Sequence, residues 1–548
     1  MTRKSGGALL RGVLAIGAAM GLAAPCQAAS LAVKGALDAG SMGLYPASAF
    51  RLADGECRDC LTIPQALWYF KGDVIATPTD QTADFEPRLR AQDDVRAWLA
   101  TGGTMAKAAR PGLLWVGSPQ VVEGVRLNAA GNEIVDAAGA TLPYAPTAKI
   151  PSNLSYYDAS SVSHFAGRPL RLRGRVEQGR FVARTIWPED YDLDLKQLAY
   201  RPLASGETLQ AVVRADGGKA QAPLAARVLW QRDPQAARDW AGKPVLAFML
   251  NGAQGDDDEA HGGHFAIATG SFGSRGEWGD WLINNFYNLD SVSEKGIIAA
   301  MLPMDAYMAD LNSGQSWYRP SYMLVAVLKQ PRAASLYQQA IGRVYNHFYR
   351  HDFVYRHATA NCAGISIETL RSLGWQIPEQ GPTSRLKAAV ALPYMAIKDG
   401  SLESGYKAFD YLTAEQTDLY PFVAFEAAGH DLLRRVSLGQ ANSPFERMLA
   451  EDLEALIYVR IPQFPSSRAV GQAPVASIDE YMKRAPEDKA QWKIVPVPPR
   501  PFPAELKDPQ APDEGPRPAS LAVYAYGGFL GITTLGFWRR RAKKRSAA

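Results

Sequence analysis

The sequence predicts an α+β protein: a β-rich first part, then an antiparallel sheet followed by helices, with one apolar helix near the C-terminal end. Three observations predict it. Apolar runs at 244–250, 264–269, 281–287 and 322–328 have the length and composition of buried strands, and helical patterns follow over 332–349 and from Cys362 onward. Strands first and helices after imply an α+β unit with a mostly antiparallel sheet. Residues 29–235 carry shorter strand-like runs at 113–116, 170–176 and 181–186, with turn signals around Gly131 and Gly139. Residues 520–538 form an apolar stretch close to the ~20 residues a membrane-spanning helix needs.

In order, residues 1–28 read as a secretory signal peptide: Arg3, Lys4 and Arg11 around an apolar run, then small residues at Ala28 and Ala29. A retained N-terminal helix is the alternative, and Pro25 directly before Cys26 argues against lipoprotein cleavage. Residues 29–235 are expected to be a β-rich domain that binds or scaffolds. Residues 236–385 hold the strand-then-helix unit, and 386–493 read as a helical extension with amphipathic pieces at 414–416 and 445–456. Dense proline makes 494–519 an extended linker. The stretch 520–538 is then expected to span a membrane once, with the basic tail 539–548 inside and the body outside. This tail resembles bacterial C-terminal sorting signals of the Pro-Glu-Pro type, with Arg517 where that motif has Glu, so a plain anchor on the periplasmic face of a bacterial inner membrane is expected.

At 548 residues the chain has room for roughly two to four domains. The formal charge of +4 comes from the leader and the cluster Arg539, Arg540, Arg541, Lys543, Lys544 and Arg545. The body between them is acidic, so the overall basic balance is no evidence for nucleic-acid binding, and no nucleic acid is expected as a partner.

Cleavage of the leader would leave Cys57, Cys60 and Cys362. In an exported protein the spacing Cys57-Arg58-Asp59-Cys60 reads most simply as a local disulfide, with half a metal site or a redox pair as alternatives. Cys362 is then the odd thiol. Asn361 is a good N-cap for a helix that starts at Cys362 and stops near Gly374, with Ile365, Ile367, Leu370 and Leu373 on its apolar face. A thiol in a first turn feels the helix dipole and unpaired N–H groups, both of which favour thiolate. A free cysteine is equally at home as a small core residue.

Cysteine catalysis needs a base and a group that orients the base. His264 opens an apolar strand after Gly262 and Gly263, a position that suits a cleft edge. If 264–269 pairs with 281–287 as a long-looped hairpin, reflection about 274–275 sets His264 near Asn285, with Asn284 competing for the same role. Histidine on a strand, a polar residue on the next, then Tyr355-Arg356-His357-Ala358-Thr359-Ala360-Asn361-Cys362 opening a helix resembles the circularly permuted papain-like proteins. These are relatives of NlpC-type cell-wall peptidases and of lecithin:retinol acyltransferase. The resemblance covers roughly 240–375. It implies Cys362 as nucleophile, His264 as base, Asn285 or Asn284 as orienter, and an acyl-thioester intermediate formed from an amide or ester. The oxyanion would sit at the helix start, bordered by Asn361 and Ala363, with His357 and His261 lining the cleft. Peptidoglycan peptides are the first substrate expected by analogy and lipid or lipoprotein acyl groups the second, with no cofactor.

Two other readings compete. The cluster of Asp256, Asp257, Asp258, Glu259, His261 and His264, or the i, i+4 pair His347 and His351, could serve a metal-dependent hydrolase, although no glutamate base lies between that pair. The chain could also be a non-catalytic tethered envelope protein that uses its β-rich half for binding.

Overall fold

The structure, a computed structural model, describes residues 31–38, 40–102, 109–147, 157–217, 222–252, 263–289, 298–465, 486–491 and 502–506. An 11-stranded sheet organises it. In chain order its strands are β1 (Phe50–Asp54), β2 (Val74–Pro78), β3 (Leu114–Trp115), β4 (Ala199–Tyr200), β5 (Ala225–Gln231), β6 (Pro244–Asn251), β7 (His264–Ser271), β8 (Leu282–Asn284), β9 (Met301–Pro303), β10 (Ser321–Leu328) and β11 (Leu453–Ile461). Across the sheet they run β4-β5-β11-β10-β6-β7-β8-β9-β3-β2-β1.

The middle of this sheet is its driest part. Every residue of β6 and β10 is buried, and so is all of β7 except its last residue. Continuous apolar runs without alternation are what a strand covered on both faces requires. β6 pairs antiparallel with β7 and β10, and the register aligns Ser321, Asn251 and His264 side by side at one end.

The helices that matter here are α1 (Ala91–Ala100), α2 (Met304–Ala309), α3 (Arg332–Tyr349), α4 (Cys362–Ser372), α5 (Arg385–Lys398), α6 (Leu402–Thr413) and α7 (Pro421–Arg434). α3, α4 and α7 pack on the central strands. Thr269 of β7 donates to Gln338 of α3 at 2.7 Å, which marks the odd-numbered residues of β7 as the face toward that helix.

A second sheet of six strands contains Gln120–Leu127, Leu170–Glu177 and Arg180–Pro188 and docks through α2. Ion pairs fasten it: Arg173 Nε to Asp305 at 2.7 Å with both side chains fully buried, and Arg184 to Asp310 at 2.9 Å. α1 is tied to α3 in the same way. Asp94 accepts two bonds from Arg343, and the fully buried His347 ring lies between Asp94 and Asp352. Burial disfavours charge on His347, but its two carboxylate partners outweigh that and raise its pKa.

Two expectations are corrected. The chain is a mixed α/β protein built on large sheets, and no helix among the described residues is long and apolar enough to cross a membrane. The fold with one C-terminal transmembrane helix, and the single-pass location that rested on it, are therefore dropped. The stretch 520–538 and the leader 1–28 lie outside the described residues. The main sheet also runs through the expected boundaries: β1–β5 come from 29–235, and β11, next to the centre, comes from the stretch read as a helical extension. The amphipathic pattern at 445–456 becomes a helix over Pro444–Asp452 that passes directly into β11.

Candidate active site

Asn361 sets the start of α4. Its backbone is extended, and its Oδ1 accepts the N–H groups of Ala363 and Gly364, each at 2.9 Å. Its Nδ2 donates to the carbonyls of His357 and Leu419 at 2.7 and 2.8 Å. One side chain thus caps the helix and ties together three segments of chain. Asn361→Ala leaves four polar groups without their partner, so it is expected to lower stability by about 1–3 kcal/mol. A matching downward shift of the urea midpoint with unchanged slope would show it.

Cys362 is the one free cysteine of the described residues, and it is buried at 3% exposure. Its backbone N–H donates to the Tyr355 hydroxyl at 3.2 Å, and Ser366 Oγ donates to its carbonyl at 2.8 Å. Burial pushes the thiol pKa up. The Phe265 backbone, the Tyr355 hydroxyl, Arg319 and the Ala363 N–H pull the other way and do not cancel it. The expectation of a resting thiolate is therefore corrected, because desolvation outweighs the helix terminus. The first N–H groups of α4 are also taken: Tyr355 holds that of Cys362, and Asn361 holds those of Ala363 and Gly364. Asn361 and Ala363 thus build the helix start. An oxyanion there would have to displace the Tyr355 hydroxyl.

His264 stands at the first position of β7 and is 2% exposed. Its ring lies 6.2 Å from that of Tyr287 and 6.3 Å from that of Tyr307, measured between centroids. Its Nε2 has no hydrogen-bond partner among the described residues. Burial and the nearby Arg319 cation drive its pKa down to about 3, and the Asn285 side chain offsets part of this. The imidazole is therefore neutral at neutral pH, but a pKa this low also makes it a weak proton acceptor in this resting geometry.

The hairpin register separates the two asparagines. Ile267 faces Asn284 across β7 and β8, which is two residues away from the reflection that the sequence suggests. Asn285 then falls diagonal to His264 on the same face, within reach of a side chain. Its Oδ1 has no hydrogen-bond partner of its own among the described residues, and its Nδ2 donates to the Ile298 carbonyl at 2.5 Å. Asn284 faces the other way and donates to the Ile267 carbonyl at 3.1 Å and to Tyr337 of α3, so it does not orient His264.

The Cys362 thiol and His264 both lie by the start of β7. The sulfur lies against the backbone of Phe265, the residue after His264, and Arg319 acts electrostatically on both side chains. The rings of Tyr287 and Tyr355, stacked at 6.0 Å, bridge the two sides. Among the described residues no hydrogen bond joins the sulfur to Nε2 of His264. Catalytic contacts are often open in ligand-free structures and close when substrate binds. Comparison of the chain with family models, curated proteins and solved structures returns no match.

The sequence reading passed over two residues of this corner, Arg319 and Tyr307, and gave Tyr355 no role beyond its place in the segment before Cys362. Arg319 is 2% exposed. Tyr307 donates to Asn251, which in turn donates to Ser321 at 2.8 Å, so the polar row beside His264 is fixed. A signal for Arg319 was present: with Pro320 it leads straight into the buried run of β10, just as His264 leads into β7.

His357 is exposed and meets Tyr355 edge-on at 5.5 Å. His261 and the acidic run 256–259 lie outside the described residues. His347 and His351 do not converge: the first is held by Asp94 and Asp352, the second by Tyr69. Among the described residues no group of three potential ligands could hold a metal ion. Cys57 and Cys60 form a disulfide with Cα atoms 5.7 Å apart. A cavity of about 330 Å³ lined by Gln81, Trp98, Gln339 and Arg343, among others, includes none of the candidate site residues.

Proposed function

We propose that the protein is a cysteine hydrolase or acyltransferase of the permuted papain-like kind, which attacks an amide or ester carbonyl through Cys362. The observation that carries this reading is the corner itself: a sulfur at a capped helix start, against the strand residue that follows a buried, neutral histidine with an uncommitted Nε2. His264 takes the thiol proton as the sulfur attacks, after its ring turns toward Cys362. The Cys362 Sγ–acyl bond forms, and the leaving amine or alcohol departs with that proton. Water or a second acceptor then breaks the thioester and restores the thiol. Asn285 Oδ1 accepts the imidazole N–H once the ring has turned, and Arg319 favours the negative charge that develops on sulfur and oxygen.

The competing reading is a papain-like fold that does not use its thiol, and the raised thiol pKa and 3% exposure of Cys362 favour it. Acyl trapping separates the two. Incubation with p-nitrophenyl butyrate, then intact-mass and peptide analysis, is expected to place one butyryl group on Cys362, and none on the Cys362→Ser protein. An unmodified Cys362 under conditions where the ester itself survives would reject the enzyme reading.

A further inference from the structure

The hairpin α5–α6 stands away from the rest of the fold. α5 buries only Ala388 and α6 only Gly405. The two helices touch each other closely, since a Cβ on Gly405 would lie 2.4 Å from the Leu392 carbonyl oxygen. On the opposite side of α5, Leu386, Val390, Tyr394 and Ile397 are exposed at 79%, 64%, 62% and 83%, and Leu402 at the start of α6 at 68%. At about 100° per residue the four α5 side chains share one arc of ~80°, and Lys387 and Lys398 border it. α5 carries Arg385, Lys387 and Lys398 and no acid, and its exposed C-cap Asp399 lies about 180° around the helix from the stripe. The acid at the start of α6, Glu403, is matched by Lys407 at 3.1 Å.

We propose that this hairpin is an interfacial docking element that lays the α5 stripe into the surface of an anionic phospholipid bilayer. An apolar stripe this long is rarely left to water. Flanking cations with no acid among them complement anionic headgroups, and a tyrosine within the stripe suits the headgroup level. The stripe lies in the plane of the surface and does not cross it.

The root of the hairpin adjoins the candidate site. Ser384 N–H donates to the Leu412 carbonyl at 3.1 Å, and the short helix Gln416–Leu419 that follows supplies the Leu419 carbonyl held by Asn361. Gly364, two residues after Cys362, lies so close to Asp418 that a Cβ there would sit 3.2 Å from its carbonyl oxygen. A surface docked on α5 is thereby delivered beside the start of α4. With the function proposed above, on which this last step rests, the substrate class becomes a lipid-borne acyl group.

The test uses the full chain with Cys26 and Cys362 replaced by serine and Ile397→Cys labelled with an environment-sensitive nitrobenzoxadiazole probe. Vesicles of equal parts phosphatidylglycerol and phosphatidylcholine are expected to raise and blue-shift its emission several-fold, with quenching by doxyl groups in the acyl region. Phosphatidylcholine alone, high salt, or the added pair Lys387→Glu and Lys398→Glu is expected to remove most of the rise. Unchanged emission with anionic vesicles overturns the proposal. So does a rise that ignores lipid charge, or one that follows protein concentration without lipid and so marks a second copy. Because Cys362 is absent from the probe protein, this result is independent of acyl trapping, which alone decides the thiol chemistry.

Discussion

His264→Ala is expected to slow acylation of Cys362 by a factor of about 10²–10⁴, the range a positioned general base supplies. The need for a base follows from the resting charge state. Burial keeps Cys362 in the thiol form and His264 neutral, so no thiolate–imidazolium pair is stored before substrate arrives. The proton must move during attack, and removing its acceptor exposes the full barrier. The same state shapes the pH profile. Because His264 titrates near 3 and not near 6.5, protonation of the base should not cut the wild-type rate until the pH approaches that value. Burst kinetics with p-nitrophenyl butyrate between pH 4 and 8 measure both quantities. His264→Asn, which keeps a polar side chain in the same place, controls for packing. A rate within twofold of wild type in both variants, with matching denaturation midpoints, would remove His264 from the mechanism.

The second large effect concerns acid stability. His264 has a folded pKa of about 3 against an ordinary 6.5. Between these values the unfolded chain binds a proton that the folded chain does not, so stability rises with pH there and is lost as pH falls below 6.5. From pH 7 to pH 4 this single residue is expected to remove about 3 kcal/mol. His264→Gln cannot take up that proton, so its stability relative to wild type should improve by that amount over the interval, whatever its absolute stability. His347 works in the other direction. Its folded pKa is raised, so the stability it contributes is complete below 6.5 and fades as pH climbs through the folded value. It is present in both proteins and cancels in the comparison. Urea unfolding at pH 7 and pH 4 reads the difference, and a constant gap between the two proteins would mean that His264 titrates normally in the fold.

Local order near the site was legible in the chain. The runs behind β6, β7 and β10 are apolar without a break, so burial on both faces could be read from composition. Asn361 before Cys362 announced a cap, and the cap formed. The helix over Arg332–Tyr349 has the limits its periodicity implies. The asparagines show where such reading stops. A shift of two residues in the β7–β8 pairing keeps Asn285 on the face of His264, while the adjacent Asn284 turns to α3. Alternation along a strand is a local property, but register depends on what the loop between the strands does, and that loop carries no fixed turn chemistry.

Charge at the site was the least legible part. The helix start argued for a thiolate, and a sequence contains nothing that weighs this against desolvation, because desolvation depends on everything packed around the sulfur. Arg319 and Tyr307 reach the corner from segments whose placement only the assembled sheet decides. The same holds for the sheet itself: β11 sits beside β10 although more than a hundred residues lie between them, and no local pattern encodes that partner. By itself the sequence determined which stretches must hide from water and where a helix must begin, since both follow from side chains within a few residues of one another. Only the tertiary structure decided which strands are neighbours, which asparagine meets the imidazole and which protonation state the thiol takes, since each is fixed by atoms distant in the chain.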